Sequence, residues 1–290
     1  MTTIPDLLAQ GPTYSFEFYP PRTPEGDRQL ARTLEHLMPL KPSFVSVTYG
    51  AGGTSRDRTE EIVHDLRTRF SQRVLPHLTC IGHTRAEIET LLRSYEADGV
   101  TDLLALHGDP PTDGRALPQG DFRYAVELVE FVRGSTNFAI GVAAHTEGHP
   151  MAPDLPSDRD HQAAKLKVAD FAVTQFFFEA RFYVAFMEDM AKRGVTTPVI
   201  AGVIPVTNPA QTRRMVEMAG GTFPQALADR LEAAQTPAEG RAIGVEHAAN
   251  LTRELLDAGA PGIHFYPMNR WMATNELWEA LGLSGGVRAT

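Results

Sequence analysis

A carboxylate sits between two aromatic residues near the start of the chain. Glu17 lies in the run FEFYPP, with Phe16 and Phe18 on either side. Because side chains alternate in direction along a β-strand, Glu17 would point away from its aromatic neighbours, and one of the two directions is a packed interior. An interior carboxylate is costly unless it is neutralised or used in chemistry. Two interpretations stay open: a general acid, or a structural ion pair with Arg22 or another cation.

Two further polar residues accompany apolar runs. Asp109 follows the run in LHGDPP, where a carboxylate could stabilise a developing cation or could cap the next turn. Gln175 lies in TQFFF and needs partners for both ends of its amide if it is buried, which a ligand's ring nitrogens and carbonyls can supply. A satisfied core amide is the alternative. The aromatic residues that follow, Phe176–Phe178, are more typical of a core than of a stacking platform.

The sequence HTEGH places His145, Glu147 and His149 at the end of another apolar run. Two histidines and a carboxylate are common zinc ligands, but this spacing lacks the helical HExxH frame, and the glycine and proline around His149 indicate a loop. We therefore predict no metal site and expect these side chains to form hydrogen bonds with a ligand. The chain has one cysteine, Cys80, which excludes an intrachain disulfide and a thiolate metal cluster.

Eight short runs of apolar and β-branched residues recur at roughly 30-residue intervals, and the polar residues above lie in them or just after them. Segments of helical period separate the runs, which predicts repeated βα units, a parallel sheet and one closed (β/α)8 barrel of the TIM type. In such a barrel the chemistry lies at the carboxyl ends of the strands. The eight runs are Tyr14–Pro20, Phe44–Gly50, Val74–Cys80, Asp102–Gly108, Ala139–His145, Phe171–Phe178, Pro198–Val206 and Gly262–Asn269.

One α/β domain over residues 1–290 accommodates these units. It has one extra helix, Phe223–Ala234, before the last long helix, Pro237–Ala258. Thr84, followed three residues later by Glu87, predicts a capping box at the start of another helix.

Composition and charge narrow the class of function. The formal net charge is −9, which argues against a nucleic-acid surface because polyanion binding needs clustered Lys and Arg. The first residues lack the basic and apolar regions of a signal peptide, and no apolar run is long enough to span a membrane. We therefore expect a cytoplasmic enzyme with no membrane partner. The run YGAGGTSRDR fits neither a dinucleotide fingerprint nor a P-loop, and no GxSxG motif is present.

A series of motifs resembles the methylenetetrahydrofolate reductase family from about Tyr14 to Arg270. The resemblance implies a (β/α)8 barrel, a place in one-carbon metabolism and methionine biosynthesis, and reduction of 5,10-methylenetetrahydrofolate to 5-methyltetrahydrofolate with NADH or NADPH. It also implies that protonation at N10 opens the ring bridging N5 and N10, and that the resulting N5-iminium accepts a hydride. The motifs are FEFYPPR, FVSVTYGAGG, PHLTC, ALHGDPP, EGHP, VTQFFF, GVIPVTN and HFYPMNR.

The same resemblance assigns roles on the substrate side. Glu17 matches the family's acid, and Asp109 matches the aspartate beside the pterin, whose charge favours the cation. Arg270 is suited to a carboxylate of the folate's glutamate tail. The residues predicted to contact substrate are Gln175, Gln211, Arg270, Phe177 and Tyr266.

The predicted cofactor site departs from the family pattern. His107 stands where the family usually has Arg, and His145 where it usually has Tyr. In the helix before strand six, Ala163 and Leu166 align with positions where the family usually has Asn and Arg, and the following turn is shorter. The residues predicted to surround the cofactor are Thr48, Tyr49, His77, His107, Gly108, Tyr124, Ala125, His145, His149, Asp160 and Lys167.

These departures remove permanent cations that a pyrophosphate needs. If each charge-assisted contact contributes roughly 1.5–3 kcal/mol, losing two of them weakens binding by about two to four decades. We therefore expect FAD, the cofactor that the family implies, to be bound poorly or not at all, with hydride passing directly from a nicotinamide dinucleotide that lies where flavin normally does.

Three alternatives stay open at this point. A conventional FAD-dependent reductase and a non-catalytic folate- or nucleotide-binding paralogue both fit the motifs. A pterin methyltransferase on the same barrel would need a cobalamin partner or a thiol-activating zinc. The oligomeric state and the choice between NADH and NADPH also stay open.

Overall fold

A computed structural model describes residues 2–49, 56–108 and 120–283 of the chain. Within them, eight parallel strands form a closed barrel in which each strand pairs with its neighbours in chain order and the last pairs with the first. Each strand overlaps one of the eight predicted runs, so the predicted (β/α)8 barrel is confirmed. The strands are β1 Thr13–Phe18, β2 Phe44–Val47, β3 Val74–Thr79, β4 Asp102–Leu106, β5 Ala139–Ala144, β6 Phe171–Phe176, β7 Val199–Val203 and β8 Gly262–Phe265.

Helices surround the barrel. In the described residues they are α1 Ile4–Leu8, α2 Pro24–Leu37, α3 Arg56–Phe70, α4 Arg85–Ala97, α5 Ala125–Ser135, α6 Leu155–Val168, α7 Ala180–Lys192, α8 Pro209–Met218, α9 Gln225–Ala233, α10 Pro237–Asp257 and α11 Trp271–Ala280. The predicted capping box is present at α4, where Thr84 and Glu87 bond reciprocally. The predicted extra helix is α9, which lies between α8 and α10. The sequence patterns do not predict α1 or α11.

Alternate residues of each strand face two different layers. Phe16 and Phe18 are fully buried in the main core, between the barrel and its helices. Glu17, between them, therefore faces the barrel interior, as the alternation predicts.

Helix α1 closes the amino-terminal end of the barrel. Ile4 is fully buried and packs with interior side chains that include Phe44 and Phe171. The Ile4 amide donates to Asp102 Oδ1 at 2.6 Å, and Arg73 Nη1 lies 3.4 Å from Oδ2 of the same carboxylate. Burial raises the pKa of Asp102, while these partners oppose the shift. In the described residues α1 thus covers the amino-terminal end of the barrel, and Glu17 lies toward the carboxyl end of β1.

Candidate active site

Glu17 lies near the open end of the barrel with one oxygen surrounded by polar groups. Its Oε2 lies 3.5 Å from Ser46 Oγ, 3.6 Å from His77 Nε2 and 3.7 Å from His264 Nε2. The side chain is 20% exposed. Among the described residues no lysine or arginine pairs with Glu17, so the alternative of a structural ion pair with Arg22 finds no support there.

His77 faces the Glu17 carboxylate as a neutral group. Burial lowers the pKa of His77 to about 4, an effect that Glu17 opposes and His264 reinforces. The imidazole is therefore uncharged at pH 7. Its buried Nε2 has no partner within hydrogen-bond distance among the described residues, and a buried polar atom left in that state is costly. The atom therefore has capacity for one more hydrogen bond.

Tyr266, which directly follows β8, forms a wall of the site. Its hydroxyl donates to Thr174 O at 2.8 Å, and its ring packs edge-on to His264 with centroids 5.2 Å apart. Burial raises the pKa of Tyr266, and the nearby Glu17 adds to the effect, so the phenol stays protonated. Because the hydroxyl is held by the backbone, Tyr266 can contact a ligand mainly through its ring.

Gln175 borders a cleft between β6 and the loop after β5. Its Oε1 accepts a hydrogen bond from the Phe176 amide at 3.1 Å. The cleft is also lined by residues 145–148 of the loop. Gln175 is half-buried, so its amide lies at the edge of open space rather than in the packed core.

The opposite side of the mouth is built from the ends of β2 and β4. Thr48 and Tyr49 follow β2, and the buried Tyr49 ring packs edge-on to His83 with centroids 5.6 Å apart. Gly108, after β4, has a φ of 92°. A Cβ at that position would lie 2.7 Å from Ile81 Cγ2, so both backbone angle and space require glycine.

Three predicted cofactor residues lie at the rim beyond β4. The His107 side chain is exposed, with Nδ1 2.8 Å from Gly108 O. Tyr124 is 53% exposed and caps α5, which Ala125 begins. Asp109 lies outside the described residues, so its place in the site stays a prediction.

Helix α6 anchors the loop that follows β5. Gln162 accepts from the His145 amide at 2.9 Å and donates to His145 O at 2.8 Å. Arg159 donates to the carbonyls of His145 and Thr146 at 3.1 and 2.7 Å. The backbone of the loop is therefore fixed by side chains of the following helix.

Arg159 is fully engaged in this support. It is 4% exposed, lies 3.7 Å from Asp158 and 3.5 Å from Asp189, and sits over the Phe186 ring. Removing its guanidinium would take the Arg159 donor from the Thr146 carbonyl and the neighbouring cation from the buried Asp158 carboxylate. Arg159 is thus a structural cation.

The inner face of α6 meets the histidines of the loop. His149 packs edge-on to His145, with ring centroids 4.8 Å apart. Burial lowers the pKa of His145 to about 4, with Lys165 and His149 adding to the effect and Asp158 opposing it. Burial also lowers the pKa of Lys165 to about 8, against the attraction of Asp158. His145 is therefore neutral at pH 7, while Lys165 is mostly charged.

Two predicted cofactor residues of α6 lie elsewhere. Asp160 is exposed and pairs with Arg193 of α7 at 2.8 Å. Lys167 is exposed and borders an outer groove with Arg133 and Asp170. The structure therefore does not bring Asp160 and Lys167 to the predicted cofactor site, because both side chains leave α6 on the face opposite to His145 and His149.

A register of α6 displaced by two residues fits the same spacing of charged residues. Aspartate and lysine seven residues apart occur twice, as Asp158 with Lys165 and as Asp160 with Lys167. Ala163 and Leu166, which were aligned with the family's Asn and Arg, are buried in the main core. In the displaced register two other residues align with that Asn and Arg. The new positions are the exposed residues His161 and Ala164. Neither offers the amide or the guanidinium of the family pattern.

Phe177 also differs from its prediction. It is 1% exposed and stacks on Tyr183 of α7, with centroids 6.2 Å apart. The pairing of β6 with β7 is irregular between Val173 and Phe176, which disturbs the alternation. Phe177 therefore packs outside the barrel and does not contact the interior, whereas Phe176 packs against Tyr266.

Asn269 holds the loop that presents Arg270. Its side chain accepts from Tyr19 N at 3.2 Å and donates to Tyr19 O at 2.8 Å, and its carbonyl accepts from Thr33 Oγ1 at 2.8 Å. Asn269 has a φ of 52°, a conformation that asparagine tolerates better than most residues. The exposed Arg270 then caps α11. Gln211 is exposed in the first turn of α8.

Several residues of the site were not predicted from the sequence. They share inward-facing or supporting positions: Ser15, Ser46, Asp158, Arg159, Gln162, Lys165, His264 and Asn269. His264 carried a usable signal, because it stands two residues before Tyr266 in the same apolar run and must face the same side.

Comparison with known proteins identifies the family. The family described as MTHFR, methylenetetrahydrofolate reductase, matches residues 3–282. The chain is 35% identical over 276 residues to the 5,10-methylenetetrahydrofolate reductases of Salmonella typhimurium and Escherichia coli, covering 94% of this chain and 92% of each relative. It is 31% identical over 282 residues to methylenetetrahydrofolate reductase (NADH) 1 of Arabidopsis thaliana, covering 92% of this chain and 48% of that protein. The chain therefore belongs to the methylenetetrahydrofolate reductase family of oxidoreductases.

A solved structure shares the fold. A Clostridium thermocellum protein, described as binding two copies of 5-methyl-5,6,7,8-tetrahydrofolic acid, matches with a TM-score of 0.60 at 12% identity and covers 94% of each chain. At that identity the likeness supports the barrel fold alone.

Two kinds of feature are absent from the described residues. No helix there is long and apolar enough to cross a membrane. Within the same residues, no three His, Cys, Asp or Glu side chains are placed to hold a metal ion.

Replacing Asn269 tests whether its hydrogen bonds to the Tyr19 backbone stabilise the loop after β8. Asn269→Ala should lower the free energy of unfolding by about 1–3 kcal/mol, because the Tyr19 backbone groups lose both partners and alanine disfavours a positive φ. Urea unfolding measures the change. The control is Asn275→Ala on α11, whose amide bonds an exposed Glu279, and it should stay within about 0.5 kcal/mol of wild type. Equal stability of the two variants would show that the Asn269 hydrogen bonds do not stabilise the loop.

Proposed function

We propose that the protein reduces 5,10-methylenetetrahydrofolate to 5-methyltetrahydrofolate, with NADH or NADPH delivering hydride directly and with no tightly bound flavin. The observation that carries the proposal is the interior carboxylate of Glu17 at the open end of the barrel, beside the neutral imidazole of His77. Membership of the reductase family supports the reaction class.

Glu17 supplies the proton that opens the folate ring. Its carboxyl donates to N10 while the bond between N10 and the bridging carbon breaks, and the electron pair of that bond stays on N10. The N5 lone pair then forms a double bond to the bridging carbon, which gives the N5-iminium cation. A hydride from the dihydronicotinamide ring completes the methyl group. A general acid of this kind typically contributes about 10²–10⁴-fold to the rate.

Other residues bind and orient the folate in this proposal. The carboxylate of Asp109 favours the iminium charge. Gln175 offers its amide to the pterin or the nicotinamide, and Tyr266 forms a flat wall beside them. Arg270, exposed at the start of α11, suits a tail carboxylate, and Gln211 serves the same folate side.

The residues present fit FAD poorly. Among the described residues of α6, Arg159 is tied to carbonyls and carboxylates, so Lys165 is the main cation turned toward the site. In the displaced register His161 and Ala164 occupy the positions of Asn and Arg, and His107 occupies that of the other Arg. Losing two charge-assisted contacts of roughly 1.5–3 kcal/mol each weakens pyrophosphate binding by about two to four decades.

The same surface suits a dinucleotide that binds and leaves in each cycle. A substrate needs weaker binding than a resident cofactor, so one cation and backbone amides suffice. Lys165 supplies that charge. Thr48 and Tyr49 on one side of the mouth, and His145 on the other, border the ring-binding space, with His77 beside Glu17. The dinucleotide therefore takes the position that flavin has in the family pattern.

The spectrum of the purified protein tests the absence of flavin. We expect no flavin band at about 450 nm, and NADH oxidation that depends on methylenetetrahydrofolate but not on added FAD. Flavin released by denaturation would be measured as a control. A stoichiometric yellow protein, or strict FAD dependence, would favour the conventional FAD-dependent alternative.

Two lysine variants test the register of α6. Lys165→Gln should raise the KM for NADH by roughly 10–100-fold, because a phosphate loses its cation. The matched control Lys167→Gln, on the outer face, should leave KM unchanged. Since the pKa of Lys165 is about 8, the ammonium is charged below that pH and loses its charge above it. The KM of the wild type should therefore rise as pH increases through 8, and Lys165→Gln should lose that dependence. Equal effects of the two variants on the KM for NADH would refute the register in which Lys165, and not Lys167, faces the dinucleotide.

Glu17→Gln separates the enzyme from a non-catalytic paralogue. The variant should lose about 10²–10⁴-fold in kcat because the amide cannot donate the proton, while folate binding measured by calorimetry is kept. Wild-type protein that binds folate but shows no turnover would instead support the paralogue.

A further inference from the structure

His264 lies inside the barrel beneath Glu17 and is 1% exposed. Its Nδ1 lies 2.7 Å from Ser15 Oγ, and its Nε2 lies 3.0 Å from Ser46 Oγ. The ring also stacks on Phe44, with centroids 5.8 Å apart. A buried imidazole needs partners at both nitrogens, and hydroxyl groups supply both here. A hydrogen-bonded chain therefore joins β1, β2 and β8 across the interior.

This chain, Ser15–His264–Ser46–Glu17, can carry its hydrogens in two directions. In the first, Ser15 donates to Nδ1, Nε2–H donates to Ser46, and Ser46 donates to Oε2 of Glu17. In the second, Ser46 donates to Nε2, Nδ1–H donates to Ser15, and Ser15 donates to Ile263 O at 3.3 Å. The imidazole tautomer therefore decides whether the Ser46 hydroxyl donates to Oε2 of Glu17 or directs its hydrogen to His264.

The surroundings of the Glu17 carboxyl group are asymmetric. The polar atoms of Ser46, His77 and His264 nearest to it all approach Oε2, at 3.5–3.7 Å. Among the described residues, none forms a hydrogen bond with Oε1. When Oε2 acts as an acceptor, the proton of the neutral acid resides on Oε1. The first direction of the chain thus fixes which oxygen is the donor.

We propose that His264 is a positioning residue for proton delivery: it donates through Nε2 to Ser46, which holds Oε2 of Glu17 as an acceptor and leaves the transferable proton on Oε1. The inference rests on the proposed function, in which Glu17 is the acid. During transfer the Oε1–H bond breaks, the proton moves to N10, and the carboxylate keeps the electron pair. No bond to His264 changes. The new carboxylate accepts the same hydrogen bond from Ser46, so the support is already oriented before the charge develops.

Two amide substitutions distinguish the two nitrogens of His264. In His264→Gln the amide NH2 takes the place of Nε2 and still donates to Ser46. In His264→Asn the shorter amide reaches only the position of Nδ1, and the link to Ser46 is broken. We expect His264→Asn to lower kcat by roughly 10–100-fold with the folate KM within about threefold of wild type, and His264→Gln to keep most of kcat. The solvent deuterium isotope effect on kcat should rise in His264→Asn, because proton transfer becomes more limiting than hydride transfer.

Ser46→Ala breaks the same link from the other side. It should lower kcat to a similar extent, and the double variant with His264→Asn should be no slower than the slower single variant, since both remove one interaction. Ser46→Ala also decides the matter if His264→Asn does not fold, which circular dichroism and urea unfolding would reveal.

The outcomes separate this inference from the proposed function. If Glu17→Gln is inactive while Ser46→Ala and His264→Asn stay within about twofold of wild-type kcat, only the inference fails. It fails as well if His264→Asn and His264→Gln lose activity equally with an unchanged isotope effect, because His264 then has a packing role. An active Glu17→Gln, or a wild type without turnover, overturns the proposed function and this inference with it.

Discussion

A carboxylic acid persists inside a packed barrel only where polar groups replace the water it has given up. This constraint accounts for the polar side chains that lie inside the barrel between the apolar residues packed on Ile4 and the carboxyl ends of the strands. Ser46, His77 and His264 surround one oxygen of Glu17. Each of these buried polar groups in turn needs hydrogen-bond partners of its own. His264 requires a second partner, which explains why Ser15 also faces inward on β1. One acidic side chain thus determines residue types on four strands.

Two loops that border the site are held in place by hydrogen bonds to their backbone or from their own side chains. Arg159 and Gln162 hold the loop after β5 by its backbone, and Asn269 holds the loop after β8 in the same way. Both loops carry polar side chains to the mouth of the barrel. The loop after β5 is therefore held by buried side chains of α6, and the loop after β8 is held by the Tyr19 backbone and by Thr33 of α2.

Strand alternation made much of this predictable. The eight runs specify the barrel, and period two places Glu17 inside it; the same rule, applied to β8, places His264 with Tyr266. Other features lie beyond the sequence pattern. The two aspartate–lysine pairs of α6 have identical spacing, and only burial distinguishes Lys165 from Lys167. Phe177 follows an irregularity in strand pairing that leaves no trace in composition.

Ile4 of α1 covers the amino-terminal end of the barrel, and this has a consequence for the order of events in the proposed catalytic cycle. With α1 and Asp102 packed against the amino-terminal end of the barrel, the folate and dinucleotide of the proposed reaction would enter at the carboxyl ends of the strands and would separate Glu17 from bulk water. In the proposed reaction Glu17 would give up its proton while both molecules are present and would regain one only from solvent. Return of the proton would then follow departure of at least one product, which would couple proton uptake to product release rather than to reduction.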